Sequence, residues 1–168
     1  MRIRILSIYT LLAIAVILSL SPYSPVQAAT ATSQLQVTLT LQAECKLTSA
    51  TDLAFGTSGV ILSSISATSA INVQCTNTTP YNIGLSVGAG VGATVTARKM
   101  TSGSNTVIYE LYRDAAHTQV WGDTVSTNTV AGTGNGAAQS YTVYGRISAQ
   151  TMPAAGNYAD TVQITVTY

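Results

Sequence analysis

Two cysteines, one histidine and six acids supply most of the side chains that could do chemistry in this chain. Cys45 and Cys75 stand 30 residues apart, too far for the C-x-x-C pair of a redox centre. His117 lies in the polar stretch Ala115-Ala116-His117-Thr118, with neither an orienting acid nor a nucleophile in a recognisable pattern, so a solvated loop histidine is expected. Glu44, Asp52, Glu110, Asp114, Asp123 and Asp160 are scattered, and no spacing among them suggests the paired carboxylates of a glycosidase. One histidine and two cysteines are too few for a structural zinc site built from protein ligands. The G-x-S-x-G elbow and the P-loop pattern are missing. Gly88-Ala89-Gly90-Val91-Gly92 and Gly132-Thr133-Gly134-Asn135-Gly136 resemble glycine-rich phosphate loops, but neither opens a helical pattern whose N–H groups would hold a phosphate. Asn77-Thr78-Thr79 fits the N-glycosylation pattern, which matters only in a eukaryotic secretory route. No catalytic, cofactor-binding or metal-ligating residue is therefore assigned, and the protein is not expected to be an enzyme.

Composition narrows the class further. The 168 residues are 46% hydrophobic and only 8% charged, with a formal net charge of +1. This suits one domain and argues against an acidic disordered tail or a polybasic binder. Lys46, Arg98, Lys99, Arg113 and Arg146 are too few for a nucleic-acid track. Residues 1–28 read as a secretory signal: Arg2 and Arg4 precede an apolar stretch from Ile5 to Leu20, and Val26-Gln27-Ala28 resembles a cleavage region. Export to an oxidising compartment favours a structural disulfide between Cys45 and Cys75, worth about 3 kcal/mol in the loop-entropy picture.

The elements that would carry these residues are strands. From Leu35 to Gln42, Leu35, Val37, Leu39 and Leu41 alternate with Gln36, Thr38, Thr40 and Gln42, a strict period of two. Similar alternation marks Ile71, Val73 and Cys75, then Tyr81, Ile83, Leu85 and Val87, then Val107, Tyr109 and Leu111 with Ile108 and Tyr112 on the opposite face. Tyr141, Val143 and Ile147 suggest another strand. The last run, Val162, Ile164, Val166 and Tyr168, finishes the sequence. Turns are expected at Gly88–Gly92, Thr101–Asn105 and Ser126–Gln139. Seven or eight short strands without helical periodicity predict an antiparallel immunoglobulin-like sandwich.

The order of short motifs adds a resemblance. Leu53-Ala54-Phe55-Gly56 follows the run into Cys45, and Val73-Gln74-Cys75 and Tyr81-Asn82-Ile83-Gly84-Leu85 come next. Arg98-Lys99-Met100, Tyr109 to Asp114, Trp121-Gly122, Tyr141 to Ile147 and Gly156 to Val162 complete the series. Together they resemble the spore coat protein U domain family, which includes subunits of archaic (Csu-type) chaperone–usher pili. The resemblance implies an all-β, incomplete immunoglobulin-like antiparallel sandwich, completed by donor-strand exchange between subunits. It implies a signal peptide at 1–28, an N-terminal donor strand at 29–42 and a pilin-type sandwich at 43–168. The donor row is then Leu35, Val37, Leu39 and Leu41, and the acceptor-groove edge is Val162, Ile164, Val166 and Tyr168. The implied partners are identical or related pilus subunits, a periplasmic chaperone and an outer-membrane usher, with no cofactor and no nucleic acid. Export would lead through the inner membrane to the periplasm and then to a surface fimbrium that serves adhesion and biofilm formation.

The length favours a rod or adaptor subunit over a tip adhesin, which would carry a further receptor-binding domain. Three other readings stand beside this one. The alternating N-terminal run suits the first strand of a complete monomeric sandwich equally well on pattern alone. The same fold could serve a protective spore-coat or envelope protein, or a secreted carbohydrate-binding module.

Overall fold

The computed structural model describes residues 25–151 and 153–168, and every regular element in them is a β-strand. The described chain divides between Leu39 and Thr40 into two compact units. In the first, residues 25–39 carry no regular secondary structure and are exposed throughout. Most of the expected signal segment lies outside the described residues.

The second unit contains β1 (Cys45–Ala50), β2 (Ile65–Cys75), β3 (Pro80–Leu85), β4 (Arg98–Ser102), β5 (Asn105–Tyr112), β6 (Val130–Thr133), β7 (Ala138–Ile147) and β8 (Ile164–Thr167). A five-stranded sheet runs β1-β2-β7-β5-β4, and a three-stranded sheet runs β6-β3-β8. Every strand pairing is antiparallel. The two sheets share a core in which Ile71, Val73, Tyr81, Ile83, Leu85, Tyr109, Leu111, Trp121, Val143 and Ile147 are buried. This is the all-β antiparallel architecture that the alternating runs predict, because each run has one face to bury. The longest ladder, β2 with β7, pairs Ile65 with Ile147 at one end and Gln74 with Ala138 at the other.

Several local expectations need correction. The Leu35–Gln42 run does not act as the first strand of a complete sandwich: it belongs to no sheet among the described residues, because alternation prepares a face but a strand needs a hydrogen-bonded neighbour. The final strand is shorter than its apolar row, with Val162 before the ladder and Tyr168 after it. The stretch Ser126–Gln139 is not all turn: it contains β6 and the first two residues of β7. Gly132 explains why β6 looked like a loop. A Cβ there would lie 2.5 Å from Tyr81 Cζ and 2.6 Å from Tyr141 Oη, so packing selects glycine within the strand. Thr101, Ser102 and Asn105 likewise belong to the β4–β5 hairpin, and β2 begins six residues before Ile71. Strands β1 and β4 are short and polar, and alternation did not reveal them.

Candidate strand-acceptor groove

The three-stranded sheet ends at β8, whose inner edge pairs with β3 in the register Asn82–Thr167, Ile83–Val166, Gly84–Thr165 and Leu85–Ile164. Among the described residues no strand pairs with the outer edge. Val162, Ile164 and Val166 are half-buried against the core, while Gln163, Thr165 and Thr167 are exposed, so the period of two places one apolar row inward. Tyr168 is 58% exposed.

Beside this row runs a cleft with apolar walls and a polar rim that includes Thr51, Asp52, Ser69, Asp160 and Thr161. One cavity of about 580 Å³ is walled by Val162 and Ile164 on one side, by Leu53 and Phe55, and by Ile71, Leu111 and Val143. A second, of about 800 Å³, shares Leu53, Phe55, Met100 and Tyr158 with the first and extends to Ile61, Ile65 and Ile147. Leu53 and Phe55 come from a segment without regular structure, and Phe55 packs edge-to-face on Tyr109 at 6.1 Å. Such a cleft offers apolar pockets beside free backbone donors and acceptors, which is the chemistry of strand addition.

Polar groups frame the cleft without forming a catalytic cluster. Tyr109 Oη donates to Asp160 Oδ2 at 2.7 Å, and Asp160 Oδ1 accepts from the Ala89 N–H at 2.7 Å and the Thr161 N–H at 2.8 Å. Burial, and then the bond to Asp160, push the Tyr109 hydroxyl well above its ordinary pKa, so it stays protonated as a donor. Arg98 is completely buried, and burial pulls its guanidinium below the usual value while Tyr109, Asp123, Asp160 and Glu110 oppose that shift. Trp121, also buried, donates from Nε1 to the Ile83 carbonyl at 2.8 Å. No group of three or more His, Cys, Asp or Glu able to hold a metal occurs among the described residues.

The residues singled out in the sequence fall as follows. Cys45 and Cys75 form a disulfide between directly paired positions of β1 and β2. Leu35, Val37, Leu39 and Leu41 are each more than four-fifths exposed. His117 is not simply solvated: it is half-buried, with ring centroids 5.1 Å from Tyr112 and 6.4 Å from Tyr144. Its backbone has a positive φ of 56°, and its N–H donates to the Asp114 carbonyl at 3.1 Å, which makes it part of a packed turn. Desolvation is the largest single influence on the Asp114 carboxyl and raises it, but the hydrogen bonds it accepts from Thr118 and Gln119 together outweigh that and hold it below the ordinary range. Asn77-Thr78-Thr79 forms the tight turn between β2 and β3, where the Thr79 N–H donates to the Thr76 carbonyl. Sequence reasoning missed the role of Arg98; its only signal was a charged residue standing among apolar strand runs.

Comparison with known proteins agrees with this geometry. The Spore Coat Protein U domain family matches residues 31–165. The chain is similar to Protein U of Myxococcus xanthus, 33% identical over 165 residues, covering 89% of this chain and 92% of that one. Among solved structures it resembles a chain in the chaperone–tip adhesion subunit pre-assembly complex from archaic chaperone–usher Csu pili of Acinetobacter baumannii, at 24% identity and a TM-score of 0.55. That likeness covers 77% of this chain, which spans 40% of the solved chain's length, and it concerns the immunoglobulin-like fold. With the open β8 edge, the Cys45–Cys75 staple and a family match along nearly all of its described length, this chain belongs to the Spore Coat Protein U domain family.

Proposed function

We propose that this protein is a structural subunit, rod or adaptor, of a chaperone–usher surface pilus, and that it polymerises by donating residues 29–42 to the groove of a neighbouring copy. One observation carries the reading: among the described residues the outer edge of β8 has no partner strand and borders a partly apolar cleft, while Leu35, Val37, Leu39 and Leu41 hold a matching apolar row in solvent. Burying four such side chains is worth on the order of 6–12 kcal/mol before entropic costs, enough for a lasting joint. The contact runs head to tail, so it propagates as a filament unless its rotation closes a ring. The domain 43–168 receives the strand, and 1–28 directs export. A periplasmic chaperone covers the groove before assembly, an outer-membrane usher passes the subunit to the surface, and the fibre serves adhesion and biofilm formation. The role is mechanical rather than enzymatic.

Deletion of residues 29–42 is the direct test. Polymers seen by electron microscopy and size exclusion should vanish while the body keeps its β-sheet circular dichroism, and retained polymers would overturn the reading. A second reading, a protective coat protein of the same fold, is favoured by the match to the Spore Coat Protein U domain family over residues 31–165. Micrographs of producing cells separate the two: discrete fibres support the pilus, and a continuous envelope layer supports the coat.

A further inference from the structure

Arg98 opens β4 and is 0% exposed, yet it forms no ion pair; the one ion pair among the described residues is Lys46 with Glu44, on the surface. Its guanidinium donates to main-chain carbonyls instead. Nε reaches Ser86 O at 2.8 Å and Nη1 reaches Val95 O at 2.9 Å. Nη2 reaches Leu85 O at 3.0 Å and Trp121 O at 2.8 Å. Since β4 lies in the five-stranded sheet and Leu85 ends β3 in the three-stranded one, this single side chain ties the two sheets together.

The tie continues into the open edge. The Ser86 N–H donates to Gln163 O at 3.0 Å, and the Gln163 N–H donates to Ser86 Oγ at 2.8 Å. Gln163 is the residue immediately before β8. The approach to it is anchored to the other sheet as well, through Ala159 paired with Thr101 of β4 and through Asp160 held by Tyr109 of β5. Within the three-stranded sheet, β8 itself is held only by its four register pairs with β3.

We infer that Arg98 is a positioning residue for strand acceptance: it fixes Leu85 and Ser86, Ser86 fixes Gln163, and β8 thereby presents its outer edge in register. Arg98 lines neither cleft cavity. The inference rests on the strand-donation reading above. A planar fork of donors suits carbonyls that converge from three chain segments, and a lysine ammonium cannot reproduce that spread.

The test uses the full mature chain carrying Arg98→Lys or Arg98→Met, with two readouts: amide hydrogen exchange and the rate of assembly. In Arg98→Lys, exchange at Leu85, Ser86, Gln163 and the β8 amides should quicken by about tenfold, the effect of losing a charge-assisted hydrogen bond, while β2 and β7 stay protected and assembly slows. Arg98→Met should show the same pattern more strongly, and if it does not fold, Arg98→Lys alone decides. Exchange that quickens equally in both sheets, or nowhere, would reduce Arg98 to general packing and overturn the inference. So would selective loosening of β8 with assembly at the wild-type rate. Failure of the strand-donation reading shows itself separately, as assembly by the chain lacking 29–42.

Discussion

At the scale of single residues, burial decides roles that the sequence leaves open. The run Gly132 to Gly136 suggests a flexible or phosphate-binding loop, yet Gly134 is buried and donates to the Thr79 carbonyl at 2.7 Å. A Cβ at Gly134 would lie 2.2 Å from the Thr76 carbonyl oxygen and 2.8 Å from Cys75 Cβ, and neither atom can swing aside. Gly134→Ala should therefore destabilise the body by about 2–3 kcal/mol in urea unfolding, the cost of forced overpacking. Tyr112 gives a prediction about pH. Burial, and then its 2.7 Å bond to Glu110, push the hydroxyl from 10.0 up to about 12. The folded chain thus keeps a proton that the unfolded chain releases above pH 10. The stabilisation is complete below that pH and is lost as pH rises towards 12. Tyr109 and Tyr81 are shifted in the same direction, chiefly by burial. Chemical denaturation across this window should show falling stability, and Tyr112→Phe should make the fall shallower.

At the scale of elements, the disulfide acts as a staple on an edge strand. All of β1 after Cys45 is exposed, and the strand pairs only with β2. Its ladder is interrupted by a register shift between Leu47 and Ser49, so few apolar contacts hold it. The covalent link at Cys45–Cys75 fixes the end of β1 that follows directly from the proposed donor segment. Replacing both cysteines with serine should lower stability by about 3 kcal/mol. Calorimetry should record a lower midpoint, with hydrogen exchange rising first in β1. An unchanged midpoint would show that packing alone holds the strand.

At the scale of the whole molecule, the proposed assembly separates folding from polymerisation. Val37 is 87% exposed, so Val37→Asp should change the stability of the unassembled chain by no more than about 0.5 kcal/mol. In a joint, the same carboxylate would lie unpaired among apolar side chains, a cost of several kcal/mol. Polymer yield should therefore collapse at an unchanged melting midpoint, measured by size exclusion and thermal scans on the same sample. Loss of both together would place Val37 in the fold of the subunit itself.

Much of this protein is legible in one dimension. Period-two alternation at Ile71–Cys75, Tyr81–Leu85, Val107–Leu111 and Tyr141–Ile147 announced the strands that build the core, because alternation is a local property of a chain with one face to bury. The two cysteines behind an export-type leader pointed to the Cys45–Cys75 disulfide for equally local reasons. Pattern could not tell which alternating run would find a neighbour. Leu35–Gln42 alternates as strictly as the run ending in β8 yet joins no sheet among the described residues, whereas polar β1, β4 and glycine-bearing β6 do. Strand pairing, the bare edge of β8 and the burial of Arg98 beneath four carbonyls all depend on residues far apart in the chain, and only the packing of two sheets brings them together.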